Sequence, residues 1–328
     1  MMGAEGTGEA RTGRLWAVIV ILLIMTATFG AYVLVYTRGS TSSPGPSSNT
    51  PTLKVLASFF PLQDWALNVG GVKVSVSLLV PVTEDIHDFE PTSAAIEAIA
   101  SANVLILNGA GLEPWAQQAI AAADNPNLVV VDCSQNVTLI TVPPQFQVAN
   151  RAIDPHIWLD PVDAMTMVQN ILKGLIKADS SDAAYFTANA NTYDAKLESL
   201  DQQFKSLASS NLATRDFVTF HTAFGYLAQQ YNLTQIPVFG PFEEEPTAAD
   251  ITNVVNAINQ NHLLYVGYES LENAAVPEAI ASQTNATLVP MNPIEGLTPQ
   301  EQAQGQTYLT LMAQNLLVLT LALNHLGG

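Results

Sequence analysis

Three of the chain's five histidines stand in short segments whose residue types suit a metal ion: His87 in HDFEPT, His156 in DPHIWLDP and His221 in FHTAFGY. They lie 69 and 65 residues apart, too far for a zinc finger or a helix-borne pair. Imidazole nitrogens gathered at one point suit Zn²⁺, which takes N and S ligands in tetrahedral geometry. Carboxylates near the histidines have two readings each. Asp154 and Asp160 flank His156 and either orient its ring or serve as turn and capping residues. Glu269 ends the run LLYVGYE, where it either accepts a hydrogen bond from a ligating imidazole or is simply a strand-end carboxylate. His262 and His325 match no such segment and read as ordinary, partly exposed residues.

The elements that must bring these residues together are legible as alternation. His87 and His221 follow VSVSLLVP and DFVTF, apolar β-branched runs that predict buried strands, while His156 sits in a Pro- and Asp-rich turn. Between residues 53 and 160 the runs LKVLASF, VSVSLLV, NVLILNG and LVVVD predict strands, separated by helical segments near 62–69, at SAAIEAIASA after Pro91 and Thr92, and at EPWAQQAIAAA. DFVTF, QIPVFG, LLYVGY and ATLVPM repeat the pattern after residue 216. Such alternation predicts an α/β fold with parallel sheets flanked by helices. In an open parallel sheet the loops leaving the carboxyl ends of strands meet in one crevice, so distant residues can share a ligand there. Between the two blocks, VDAMTMVQNILKGLIKA is a predicted helix with Asp163 near its start. The following stretch, 183–209, holds no Pro or Gly and predicts one long stiff helix. The C-terminal TYLTLMAQNLLVLTLALNHL is very apolar, but Gln314 and Asn315 interrupt it, so a packed helix is expected in place of a membrane span.

Composition sets the wider organisation. A short tail (1–14) precedes residues 15–37, which carry no charge and are long enough to cross a bilayer as an uncleaved anchor. A lipid anchor would need a cysteine at its processing site, and the only cysteine is Cys133. Residues 38–52 form a Ser/Thr/Pro-rich linker. The expected folded parts are an N-terminal lobe (53–182), a connecting helix (183–209) and a C-terminal lobe (210–328). Net charge is −18, and from Asp216 to the C-terminus there is no Lys or Arg against ten Asp and Glu. That excludes a nucleic-acid partner, which needs clustered cations. It suits a protein facing cations, or an acidic exterior. Sequons at Asn136, Asn232 and Asn285 agree with a translocated, extracellular domain.

Taken together, the three segments resemble those of the metal-binding solute receptors of ABC transporters for zinc and manganese, a family that includes streptococcal surface lipoproteins once called adhesins. The resemblance runs through residues 53–328 and rests on His87, Glu90, Pro91 and Thr92; on Asp154, Pro155, His156, Trp158 and Leu159; and on His221, Phe224 and Tyr226. It implies two α/β lobes joined by one long rigid helix, with metal held in the cleft by His87, His156 and His221. The sequence departs from the family at the fourth ligand. Where relatives place an Asp in a late strand-end segment, this chain has MNPIEGL, with Asn292 at that position. Glu295, Asn292, a water, or a carboxylate of Glu243, Glu244 or Glu245 could complete the site. A His-rich loop present in some relatives is missing between 132 and 150.

The resemblance implies a monomeric, membrane-tethered receptor with no enzymatic activity, which carries Zn²⁺ (or Mn²⁺, although His221 in place of a Glu favours zinc) to an ABC permease. Two readings from other classes compete with it. One is a zinc hydrolase or hydratase, since three His plus water is also a catalytic arrangement; the other is an adhesion module in which metal only stabilises the fold.

Overall fold

The computed structural model describes residues 52–147, 151–242, 246–325 and 327. The expected tail and anchor, all but the last residue of the linker, and Glu243, Glu244 and Glu245 lie outside these residues. In the N-terminal lobe, β1 (Leu53–Ala57) leads into α1 (Phe60–Gly70). That helix carries Pro61 in its first turn and stops where Gly71 takes φ 52°, a conformation glycine adopts without strain. β2 (Val74–Leu78) precedes the His87 loop. Thr92 then caps α2 (Ser93–Ser101) by accepting from the amide of Ala95. β3 (Val104–Leu107), α3 (Ala116–Ala123) and β4 (Val129–Asp132) complete the lobe, and its strands run parallel in the order β2-β1-β3-β4. All four residues of β3 are buried, as befits a strand covered on both faces.

α4 (Pro161–Ala178) begins at Asp160, whose carboxylate accepts from Val162 N–H, so the capping reading of Asp160 is the one the structure adopts. α5 (Ala183–Ala208) is the long helix, 26 residues and about 39 Å. Its buried residues Phe186, Ala190, Tyr193, Leu197, Leu200, Phe204 and Leu207 recur at alternating spacings of four and three, one continuous apolar stripe. The stripe packs on α1 and α4. On α1 the Tyr193 hydroxyl also reaches Asp64 at 3.0 Å.

The C-terminal lobe repeats the scheme: β5 (Asp216–His221), α6 (Gly225–Gln230), β6 (Thr234–Phe239), α7 (Ala248–Gln260), β7 (Tyr265–Tyr268), α8 (Ala275–Thr284), β8 (Thr287–Pro290), α9 (Pro299–Ala303) and α10 (Tyr308–Asn324). Its sheet is again parallel, ordered β6-β5-β7-β8. The eight strands read from the sequence all form. The two lobes are joined by α5, against which α10 also packs. Among the described residues no helix is long and apolar enough to cross a membrane, α10 included. Asn315, which interrupts the apolar run of α10, is 1% exposed and exchanges two hydrogen bonds with the backbone of Asn292 (2.9 and 2.7 Å). That polar interruption therefore anchors the segment leading to Glu295. The sequon residues Asn136, Asn232 and Asn285 are exposed with φ of 66°, 52° and 57°, a left-handed conformation that Asn tolerates, so each also serves as a turn residue.

These strands and helices belong to one compact unit, residues 51–328, with its own core, so this part of the chain should fold alone. Phe204 on α5 is 1% exposed and stacks on Tyr231 at 5.1 Å, joining the connecting helix to the C-terminal lobe. Phe204→Ala is expected to lower stability by about 3–5 kcal/mol, from lost burial plus the cavity left behind. Urea unfolding of 51–328 measures it, and a loss under about 1 kcal/mol would mean that the helix is not a shared core element.

Candidate metal centre

The chain order within each sheet sets the site. In the C-terminal sheet the chain leaves β5 for β6 on one side and leaves β7 for β8 on the other, so a crevice opens at the carboxyl ends of β5 and β7. His221 is the last residue of β5, and Glu269 directly follows β7. The His221 carbonyl accepts from Thr219 Oγ1 and Gln235 Nε2, both at 2.8 Å, which fixes the strand end. From the N-terminal lobe come His87, on the loop after β2, and His156, in the turn before α4. Asn108, at the end of β3, donates to the carbonyl of Pro155 (2.9 Å) and steadies the turn that carries His156.

Glu295 comes from the segment after β8. Three bonds hold that segment across the lobes or within its own turn: Trp158 Nε1–H donates to the Pro293 carbonyl (2.7 Å), Leu297 N–H to the Val82 carbonyl (2.8 Å), and Ile294 N–H to Asn292 Oδ1 (2.7 Å). Ile294 is fully buried at φ 62°, an unusual conformation for a β-branched residue, next to the carboxylate it presents.

The nitrogens and oxygens converge. Glu295 Oε1 lies 3.1 Å from His156 Nε2, and 3.5 Å from Nε2 of both His87 and His221. The His156 and His221 Nε2 atoms are 3.2 Å apart, and one candidate ligand atom from each of the four residues lies within 4.8 Å of the others. A tetrahedron with arms of about 2.0 Å has edges of about 3.3 Å. Four of the six edges, at 3.1 to 3.5 Å, therefore match the spacing of ligands around one zinc-sized ion.

Two of the three imidazoles are oriented from behind. His156 Nδ1 lies 2.7 Å from Asp154 Oδ1, and His221 Nδ1 lies 2.6 Å from Glu269 Oε1, so each ring turns Nε2 inward. Tyr226 holds Asp154 in turn, donating its hydroxyl to the Asp154 carbonyl at 2.8 Å. Glu269 thus orients a ring, and Asp154 does so while also accepting the His156 backbone N–H of its own turn at 3.0 Å. His87 Nδ1 is buried with no hydrogen-bond partner among the described residues, and the ring meets Phe242 edge-on at 6.4 Å, with Arg151 over the Phe242 ring at 4.0 Å. Sequence reasoning did not identify Phe242 or Arg151. Neither stands in a ligand-like segment, and only the fold brings them to His87.

Charge follows the same geometry. Burial pushes the His221 imidazole down, but the Glu269 and Glu295 carboxylates outweigh it and hold it well above the ordinary histidine range. His156 is raised in the same way, with Asp154 outweighing burial. Burial would raise Glu295, yet the imidazoles, His221 foremost, hold it well below the usual carboxylate range. Without metal the cluster is therefore an imidazolium–carboxylate arrangement that a divalent cation can replace by expelling protons. A cavity of about 240 Å³ reaches Glu295, lined by Glu84, Asp85, Glu269 and Glu272 among others. Burial, and then the neighbouring carboxylates of Glu269, Asp85 and Glu295, raise Glu272.

Asn292, a sequence candidate for the fourth ligand, has both ends of its amide engaged, Oδ1 by Ile294 N–H and Nδ2 with Glu301 Oε1 at 2.9 Å. Its place is in the turn that presents Glu295. His262 and His325 lie outside the cluster and are exposed.

A family model described as the periplasmic zinc-uptake complex component A, ZnuA, matches residues 55–322. The chain belongs to the ZnuA family. This is a family of zinc-binding solute receptors, not enzymes. The chain is 30% identical to the high-affinity zinc uptake system protein ZnuA of Bacillus subtilis over 305 residues, covering 90% of this chain and 94% of that one. Among solved structures, the Zn(II)-bound ZnuA-like domain of Streptococcus pneumoniae AdcA superposes with a TM-score of 0.73 at 26% identity, covering 84% of this chain and all of that one. The laminin-binding protein Lmb of Streptococcus agalactiae, described as having adhesin and metal-transporting activity, gives 0.73 at 27% identity, covering 83% of this chain and 99% of that one. The two-lobe fold shared with ZnuA structures is the one the motif resemblance implied.

If Glu269 acts on zinc through His221, Glu269→Gln should weaken zinc binding by about 10–100-fold, the usual effect of removing a carboxylate behind a metal-bound imidazole. Competition with a chelating dye checks this, with circular dichroism confirming the fold. An unchanged affinity would leave Glu269 a purely structural carboxylate.

Proposed function

We propose that the chain is an extracytoplasmic receptor that captures Zn²⁺ with His87, His156, His221 and Glu295 and delivers it to an ABC permease. The observation that carries this reading is the convergence of three imidazole nitrogens and one carboxylate oxygen within 4.8 Å, two of the imidazoles already turned inward by carboxylates. Membership of the ZnuA family supports zinc as the cargo and an uptake permease as the partner. A set of three nitrogens and one oxygen favours zinc over Mn²⁺, which prefers more oxygen ligands in octahedral geometry. Four protein ligands close the coordination shell, whereas a hydrolytic zinc site keeps one position for water.

The lobes are assigned to 53–182 and 210–328, with 183–209 as the connector. We place the protein as a monomer at the cell membrane, tethered through residues 15–37. Calorimetric titration of metal-stripped 51–328 with Zn²⁺ and Mn²⁺ tests the cargo. One zinc site bound far more tightly than manganese is expected, and tight binding of neither ion would remove the receptor reading.

A further inference from the structure

A groove of about 610 Å³ runs along Asp154, walled on its apolar side by Leu139, Ile140, Phe146 and Pro237. Asp154 is only 3% exposed, and its two oxygens have different surroundings. Oδ1 is engaged by His156, accepting from the backbone N–H at 3.0 Å and facing Nδ1 at 2.7 Å. Oδ2 has no hydrogen-bond partner among the described residues. A Cβ placed on Gly225, which lines the groove, would stand 2.8 Å from Oδ2 and 3.1 Å from Ile140 Cδ1, so the missing side chain keeps the approach to the carboxylate open.

Gln235, also in the groove wall, donates Nε2–H to Thr219 Oγ1 (2.7 Å) and to the His221 carbonyl (2.8 Å), which leaves Oε1 buried without a donor among the described residues. Both atoms are acceptors: Asp154 Oδ2 opens on the groove and Gln235 Oε1 is buried, so the groove suits a ligand that supplies N–H groups. Residues 216–328 contain no Lys or Arg that could supply one.

We infer that this groove is a second ligand site, for a small organic cation bearing a primary ammonium group on an aliphatic stem. The ammonium carries three N–H donors for Asp154 Oδ2 and its neighbours, and the stem lies along Leu139, Ile140 and Phe146. The site communicates with the metal centre because the two share one carboxylate. Asp154 Oδ1 sustains the basicity of His156 through Nδ1. A cation on Oδ2 draws charge from that bond and makes His156 a poorer zinc ligand. Amine and zinc therefore oppose one another, each weakening the other by the same factor. The coupling rests on the zinc-receptor reading, whereas the amine site does not.

The test titrates n-butylammonium chloride into metal-free 51–328 at pH 7, following amide resonances by NMR, and then repeats the zinc titration at saturating amine. Tetramethylammonium, with equal charge and no N–H, serves as the control. Saturable shifts at Gly225 and Thr222 are expected with butylammonium alone, together with a zinc Kd raised about fivefold. Gly225→Ala should abolish both effects. Leu139→Trp, at the exposed rim, should block the amine while leaving amine-free zinc affinity unchanged.

Equal effects of the two cations, or no saturable shift, would overturn the site. Effects that survive both substitutions would place the amine elsewhere and do the same. Amine binding that leaves zinc affinity unchanged would overturn the coupling. Failure of zinc to bind at all would instead remove the receptor reading, with amine saturation still measurable.

Discussion

Glu295→Ala should weaken zinc binding by roughly 10²–10³-fold, while Asn292→Ala should change it by about tenfold or less. The first figure follows from the binding energy of a four-ligand zinc site, about 10–16 kcal/mol, shared over four ligands at about 2.5–4 kcal/mol each. Glu295 Oε1 stands 3.1–3.5 Å from all three imidazole nitrogens and is the one carboxylate in the cluster among the described residues. Asn292, by contrast, has its amide engaged with Ile294 and Glu301, so its loss acts only by loosening the turn beneath Glu295. Removal of Glu295 also leaves raised-pKa imidazoles without their partner, so a compensating water ligand cannot restore the charge balance. Dye competition on both variants measures the difference. A larger loss in Asn292→Ala than in Glu295→Ala would reverse the assignment of the fourth ligand.

Zinc affinity should fall about tenfold per pH unit for each proton displaced, and the fall should begin above the ordinary imidazole range. His156 and His221 both have raised pKa values in the metal-free cluster, so each tends to hold a proton that zinc must expel. With at least one proton displaced, the Kd at pH 5 should exceed that at pH 7 by about 10² or more. Stability of the metal-free protein should move the other way. Burial raises Asp64 to about 6, and Glu113 and Asp160 to about 7. A carboxyl raised in the folded state binds protons there that the unfolded chain has lost, so stability declines as pH rises from about 4 to 7. The two raised histidines add to this, their contribution being present below the unfolded pKa and lost as pH rises through the folded one. Thermal unfolding of metal-free protein should therefore show a higher midpoint at pH 5 than at pH 7. The zinc-dependent increment in that midpoint should be largest at pH 7. A zinc Kd independent of pH over that interval would contradict the imidazolium–carboxylate account of the empty site.

Local patterning made most of the architecture legible. The strands are short, apolar-rich runs, plainest in β3 (VLIL) and β4 (VVVD), and such runs have few alternatives to a buried parallel strand. The long helix was visible as an absence of breakers over 183–209. Three imidazoles were legible because their segments resemble the ligand segments of a known family, and the structure gives the flanking residues work: Trp158 ties the lobes through Pro293, and Tyr226 holds Asp154. Glu295 was one of several candidates because the choice depends on a turn. Asn292 spends its amide on Ile294 N–H, and Ile294 takes a left-handed conformation that swings the next side chain inward. Nothing in MNPIEGL announces that conformation. Phe242 and Arg151 were invisible for a related reason, since their contacts with the His87 loop are purely tertiary. The orienting roles of Asp154 and Glu269 were even choices in sequence and became definite only with distances of 2.7 and 2.6 Å to the rings.

The central claim concerns which atoms hold the metal, and a crystal structure of zinc-loaded 51–328 with anomalous scattering at the zinc edge tests it most directly. One anomalous peak is expected within about 2.0–2.2 Å of Nε2 of His87, His156 and His221 and of a Glu295 carboxylate oxygen, in tetrahedral arrangement. A peak outside this cluster, or one ligated by the three imidazoles and water with Glu295 turned away, would contradict the account.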